Sequence, residues 1–340
     1  MIINPVHEPR VRGNIFAGLL AALLLHAPVL PAADVPPAAA VASAHPLATR
    51  AGLETLKNGG NAFDAAVTVS AALAVVEPYS SGIGGGGFWL LHRASDGKQV
   101  MVDGREKAPG SAYKRMYLDD KDDVRENASL EGPLAAGIPG LVAGLAHLAE
   151  KYGRLPLSKS LEPAVRLARE GFPVTQSYKD MAGWRLKTLQ KFPEATRIFL
   201  ANNGVPELGH PIIQTDLANL LEQVGAKGAG YFYQGPFAKL LVEGVRASGG
   251  IWSPEDLQNY YIVERAPIVT EYRGVRIVSA PPPSSGGIVL AQALGILEHQ
   301  DLVGVDHITR MHIIIEAMRR AYRDRAVFLG DPDFVSIPTN

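Results

Sequence analysis

From residue 45 onward the apolar positions fall into two rhythms that divide the chain into segments. Residues 48–58 (ATRAGLETLKN) place Ala51, Leu53 and Leu56 at helical spacing, and Gly59-Gly60 stops the run as a helix C-terminus is stopped. The next stretch, 61–77 (NAFDAAVTVSAALAVVE), opens on Asn61 with Asp64 three residues on, the spacing of a reciprocal cap, and Pro78 ends it. Apolar on nearly every side, it is predicted to be buried all round. Two short, bulky runs follow, Phe88 to Arg93 and Gln99 to Asp103, and the turn 94–98 between them holds Asp96-Gly97, which predicts a hairpin.

Past Asp103 the helical period dominates. Ile138-Pro139-Gly140 opens a predicted helix to about Lys151, and Ser160 to Glu170, Asp216 to Val224 and Ala238 to Ala247 repeat the amphipathic pattern. Ser253-Pro254-Glu255-Asp256 is a further helix start. Ile268 to Tyr272 and Val275 to Ser279, either side of Arg273-Gly274, predict a second strand pair. Pro281 to Pro283 then leads through Ser284-Ser285-Gly286-Gly287 into an apolar helix ending near Glu298, and His307 to Leu329 forms a last long helix with Glu316 placed to pair with Arg319 or Arg320. Hairpins and helices alternate in blocks, without the strand-helix-strand rhythm of a doubly wound sheet. A layered α/β sandwich is the fold class this order predicts.

Between the buried helix and the first hairpin, Gly82-Ile83-Gly84-Gly85-Gly86-Gly87 satisfies the spacing G-x-G-x-x-G. That motif holds a dinucleotide only when it leaves a strand and opens a helix, whose free amides bind the pyrophosphate. Here a helix precedes it and a strand follows. The glycines are expected instead to let backbone pass close to backbone or to a ligand.

Composition sharpens the picture at three points. A formal net charge of -1 gives no basic face for a nucleic-acid partner. The absence of cysteine removes disulfides, thiolate metal sites and a cysteine nucleophile together. At the N-terminus, Arg10 and Arg12 precede the apolar run Ile15 to Leu25 and then Pro31-Ala32-Ala33, which describes a secretory signal over residues 1–33, or a short anchor that stays uncleaved. Residues 34–44 form a Pro/Ala-rich lead-in, and 45–340 the main body.

Familiar catalytic signatures are thin. Nine histidines are scattered, H-E-x-x-H is absent, and His307 and His312 are five residues apart, off a common helical face. Neither a metal nor another cofactor is expected. Ser111-Ala112-Tyr113-Lys114 matches S-x-x-K without the accompanying K-T-G, and G-x-S-x-G does not occur. Ser284 and Ser285, just before a helix, read as caps. More telling is Val102-Asp103-Gly104-Arg105-Glu106-Lys107-Ala108-Pro109: an arginine directly after a strand end sits where a sheet can aim its planar fork at a carboxylate. The competing reading pairs Arg105 with Asp103 or Glu106.

Taken in order, His45-Pro46-Leu47-Ala48-Thr49, Gly59 to Ala66, Gly84 to Phe88, Arg105 to Pro109, Pro281 to Gly287 and Gly330-Asp331-Pro332-Asp333-Phe334 resemble the gamma-glutamyltranspeptidase (glutathione hydrolase) family. The resemblance implies an N-terminal-nucleophile hydrolase with an αββα sandwich, made as an exported, periplasmic or membrane-tethered precursor that cuts itself into a large and a small chain. A threonine exposed at the start of the small chain attacks the γ-glutamyl amide, with its own amine as base. Water or an amino acid or peptide then takes the glutamyl group from the enzyme.

Carried onto this sequence, the resemblance makes Arg105 the grip on the α-carboxylate of the γ-glutamyl group. It sets the glycine run in the sandwich core beside the site, and the final helices and Pro281 to Gly287 around the cleft. No catalytic residue is expected here: Thr339 follows Asp331-Pro332-Asp333 too soon to be the nucleophile, which is expected downstream of Asn340. The chain therefore reads as a large-chain portion, inactive alone, whose partners are glutathione and other γ-glutamyl compounds, amino acid or peptide acceptors and its own small chain. Two alternatives stay open: a cephalosporin-acylase-like relative hydrolysing an aliphatic side-chain amide, and a non-catalytic exported binding protein on the same fold.

Overall fold

Local rules set the first elements. In the computed structural model, which describes residues 39–338, helix α1 (Pro46–Lys57) starts at His45, whose Nδ1 accepts from the Leu47 amide. Helix α2 (Ala62–Val76) carries the predicted capping box: the Asn61 side chain accepts from the Phe63 and Asp64 amides, and Asp64 accepts back from the Asn61 amide. Asp64 is fully buried, and its carboxylate also takes the amides of Arg154 and Leu155. A buried carboxylate is tolerable only when donors surround it in this way. Val67, Val75 and Val76 are buried with the small residues around them, each worth about 1.5–3 kcal/mol relative to exposure.

Strands β1 (Gly87–Arg93) and β2 (Lys98–Gly104) form the predicted hairpin, antiparallel from Gly87 opposite Gly104 to Arg93 opposite Lys98. Gly97 turns it with φ of 70°, a conformation that suits a residue without Cβ. The sequence did not reveal a third strand, β5 (Val263–Arg265), which pairs antiparallel with the far edge of β2. Three residues are too few to show a period of two.

The two faces of this sheet differ. Trp89, Leu91, Val100 and Val102 point to the helices: Leu91 and Val102 join Val75, Leu145 and Leu148 in one core cluster, and the Trp89 indole donates to Ser70 on α2. Phe88, Leu90 and Asp103 lie on the other face by alternation, where Leu90 is exposed.

Helix α3 (Leu141–Lys151) follows Gly140 as predicted. Helix α4 (Leu157–Glu170) starts earlier than its apolar pattern suggests, and α7 (Thr215–Lys227) extends to both sides of its predicted span. Between them lie the short pair β3 (Phe172–Pro173) and β4 (Pro211–Ile212), with helices α5 (Gln176–Leu189) and α6 (Pro193–Phe199), neither predicted. The one-turn α8 (Gly230–Tyr233) leads to α9 (Gly235–Ala247), and α10 (Pro254–Gln258) carries a capping box from Ser253 to Asp256.

The second hairpin, β6 (Ile268–Tyr272) and β7 (Val275–Ser279), has the predicted bounds and turns on Arg273-Gly274, both at positive φ. Helix α11 (Gly286–Glu298) packs on it and against α12 (His307–Phe328), where Glu316 pairs with both Arg319 and Arg320. The leader assigned to residues 1–33 lies outside the described residues, as do residues 34–38 of the lead-in, Thr339 and Asn340. Among the described residues no helix is long and apolar enough to cross a membrane.

Candidate functional site

The glycine run explains how the candidate site is built. Gly85 offers its carbonyl to the amides of Gly140 and Leu141, joining the run to the start of α3. A Cβ on Gly86 would run into the Gly104 carbonyl and the Arg105 backbone, and one on Gly140 would meet Gly104 and the Tyr260 hydroxyl. Three backbones therefore converge at the end of β2 because Gly86, Gly104 and Gly140 all carry no side chain there. Beside them lies a cleft of about 440 Å³ whose walls include Tyr79, Gly85, Phe88, Glu106 and Leu141. The order helix, glycines, strand leaves no helix N-terminus aimed at a phosphate.

Arg105 stands directly after the last ladder residue, Gly104. Its side chain is 58% exposed, its Nε lies 3.1 Å from the Glu106 carboxylate, and its guanidinium sits 5.6 Å from the centroid of the Phe88 ring. Of the two acidic partners expected for it, Glu106 takes the side chain. Asp103 instead accepts the Arg105 backbone amide at 3.1 Å, and its other oxygen accepts from Arg265 Nε at 2.8 Å. Arg265 then reaches both oxygens of Asp333 at 3.1 Å each. Burial alone would lower the Arg265 pKa, but its bonds to Asp333 and Asp103 outweigh burial and raise it; Arg265 in turn lowers that of Asp333.

On the opposite side, the Tyr260 hydroxyl donates to the Arg105 carbonyl at 2.7 Å. Burial first, then the neighbouring Tyr233, Asp103 and Glu106, push the Tyr260 pKa up, so the hydroxyl keeps the proton it donates. The Tyr260 ring stacks on Tyr233 at 5.5 Å, and Tyr233 bonds to the Pro139 carbonyl. Tyr260, Arg265 and Asp333 carried no sequence signal for this placement, because each reaches the loop from a distant segment.

A second charged cluster lies on the helix-facing side of the sheet. The Glu264 carboxylate accepts from Tyr152 at 2.6 Å and Lys98 at 3.3 Å, with His147 at 2.9 Å and Lys151 at 3.0 Å. Partial burial would raise its pKa, yet these four partners together hold it down at about 2. It fastens β5 to α3 and to the start of β2.

Other sequence candidates separate from the cleft. Ser111 and Lys114 are exposed in the loop that follows it. The Ser285 hydroxyl does not cap α11; it accepts from Arg325 Nε at 2.9 Å, and Ser284 accepts the Gly286 amide. Among the described residues no group of three or more His, Asp or Glu could hold a metal ion.

With this geometry in place, similarity to known proteins is informative. The gamma-glutamyltranspeptidase family profile matches residues 48–340. The chain is 44% identical over 301 residues to a glutathione hydrolase proenzyme of Pseudomonas sp. (strain A14), covering 88% of this chain and 52% of that protein. It is also 38% identical over 307 residues to the acylase ACY 1 proenzyme of Pseudomonas sp. (strain V22), covering 88% and 55%. Among solved structures, Helicobacter pylori gamma-glutamyltranspeptidase superposes with a TM-score of 0.86 at 41% identity, covering 90% of this chain and 88% of that one. The chain thus spans about half the length of the curated relatives it matches.

Proposed function

Since the chain belongs to the gamma-glutamyltranspeptidase family and shares the mixed α/β fold of its N-terminal-nucleophile hydrolases, we propose that it forms the large-chain part of an exported enzyme that hydrolyses or transfers the γ-glutamyl group of glutathione and related compounds. The observation that carries this reading is the Arg105 fork, held just past the end of β2 beside the Phe88 ring and ion-paired only with Glu106 among the described residues. An ion pair that exposed contributes about 0–1 kcal/mol. A donor α-carboxylate can therefore take the place of Glu106 at small cost and gain two parallel hydrogen bonds from the guanidinium.

The remaining machinery belongs, in this proposal, to a second chain released by self-cleavage of a longer precursor, as the word proenzyme in the relatives' names suggests. Its N-terminal threonine hydroxyl adds to the γ-amide carbonyl. The amide nitrogen leaves with a proton, and the glutamyl group stays on the threonine oxygen as an ester. Water releases glutamate, or the amine of an amino acid or peptide carries the group away. The exposed Leu90 on this face, beside half-buried Phe88, supports a second layer packed on this sheet, the arrangement of an αββα sandwich. The charged start and apolar run read in residues 1–33 as a secretory signal support export.

The test uses the complete reading frame. Denaturing electrophoresis with intact-mass analysis over time should show one chain becoming two, the smaller beginning with threonine. Glutathione hydrolysis should appear in step, and Arg105→Ala should raise the donor KM about tenfold or more, the loss of a charged hydrogen-bonded pair. Arg105→Lys should recover only part of that, because an ammonium lacks the fork. An uncleaved, inert product would overturn the enzyme reading in favour of a binding protein. The identity to an acylase proenzyme gives a second reading, and preference for glutaryl amides over glutathione in direct competition would favour it.

A further inference from the structure

We propose that Asp103, Tyr260 and Arg265 are positioning residues that aim Arg105, and that Asp333 extends the same network; the proposal rests on Arg105 gripping the donor carboxylate. An exposed arginine side chain carries about 2 kcal/mol of rotamer entropy, so the direction in which it leaves the protein must be set by its backbone. The β2 ladder stops one residue short of it. What takes over is a pair of side-chain bonds, one on each side: Asp103 Oδ1 holds the Arg105 amide and the Tyr260 hydroxyl holds the Arg105 carbonyl.

Both holders are themselves fixed. Asp103 is buried and gives its second oxygen to Arg265, whose side chain is 15% exposed and is pinned from behind by Asp333. Tyr260 is locked by its stack on Tyr233 and by the Gly140 backbone against its hydroxyl. Stability alone is a weak reason for such an arrangement, because a buried ion pair does about as well as an apolar pair of the same volume. An aimed backbone gives these charges and this hydroxyl a purpose that apolar residues could not serve.

The experiment is a mutant cycle in the complete, processed enzyme. Tyr260→Phe keeps the stacked ring and removes only the bond to Arg105; Asp103→Asn weakens the bond to the amide and the pair with Arg265. Each should raise the donor KM about three- to tenfold, one hydrogen bond's worth, with kcat within about twofold. Combined with Arg105→Ala, neither should add anything, because there is no longer a fork to aim. A purely structural role would lower Tm and the yield of active enzyme, and its effect would persist in full beside Arg105→Ala. Unchanged KM in Tyr260→Phe, or effects that add in the double variants, would overturn the proposal. Should Asp103→Asn fail to fold, Tyr260→Phe still decides. If Arg105→Ala alone leaves KM unchanged, the carboxylate grip itself is wrong and the positioning role falls with it, an outcome distinct from a silent Tyr260→Phe beside a damaging Arg105→Ala.

Discussion

Gly84 and Gly86 are near neighbours in the same run, yet a Cβ on Gly84 would meet nothing within 4 Å while one on Gly86 would strike the Gly104 carbonyl and the Arg105 backbone. Gly86→Ala should therefore destabilise the protein by about 1–3 kcal/mol or more, since backbone and not a flexible side chain must give way, whereas Gly84→Ala should stay within about 0.5 kcal/mol. Thermal unfolding of both variants checks this. Glu264 makes a second prediction. Its folded pKa of about 2 lies below the ordinary carboxylate value of about 4.3 in the unfolded chain. The stability it contributes is complete above that ordinary value and is lost as pH falls toward 2, because the unfolded state then binds the proton more readily. In denaturant titrations the gap between wild type and Glu264→Gln should be full near pH 6 and shrink across that acid window. At this scale the sequence was partly legible. It singled out Arg105 and the glycines, but a linear string does not say whether Asp103 or Glu106 takes the guanidinium, since both lie within reach along the chain.

Elements with strong period or explicit caps were legible, and elements defined by contacts were not. The capping box at Asn61, the helix start at Ser253 and the hairpin over Arg273-Gly274 formed where predicted because their information is local. Helix α5 had a usable signal, Thr175 as its cap with Tyr178, Ala182, Leu186 and Leu189 at helical spacing, although Trp184 on its outer face is exposed and blurs the pattern. On α12 the long helix was legible, but not which side it buries. Ala317 and Ala321 are buried, while Ile308, Met311, Ile315, Met318 and Tyr322 form an exposed stripe at alternating steps of three and four residues. That is the seam pattern of a helix with a partner. On the reading that the proposed second chain covers this stripe, Ile315→Asp should leave Tm of the isolated chain nearly unchanged, as an exposed substitution does, and should reduce recovery of two-chain enzyme from the complete reading frame. Calorimetry on the first and size-exclusion chromatography on the second would show it.

For the whole molecule, the sandwich class followed from the block order of hairpins and helices, and family membership from motifs spread along the chain. The site's closure did not follow, because it depends on partners far apart in sequence: Arg265 and Asp103 are 162 residues apart, and Asp333 is 68 beyond Arg265. That separation bears on how the protein comes to exist. As the chain leaves the ribosome, α1, α2 and the β1–β2 hairpin can form early from contacts close in sequence. The edge of β2 then waits, unpaired, until β5 has been made. Loop closure over such a span is entropically costly and slows folding, and an open edge beside an apolar face is the kind of surface that recruits wrong partners or chaperones. The Arg105 loop is thus among the last parts of the described chain to take its final shape, and Asp333, near its C-terminal end, serves as a latch that closes only when the preceding segments are in place.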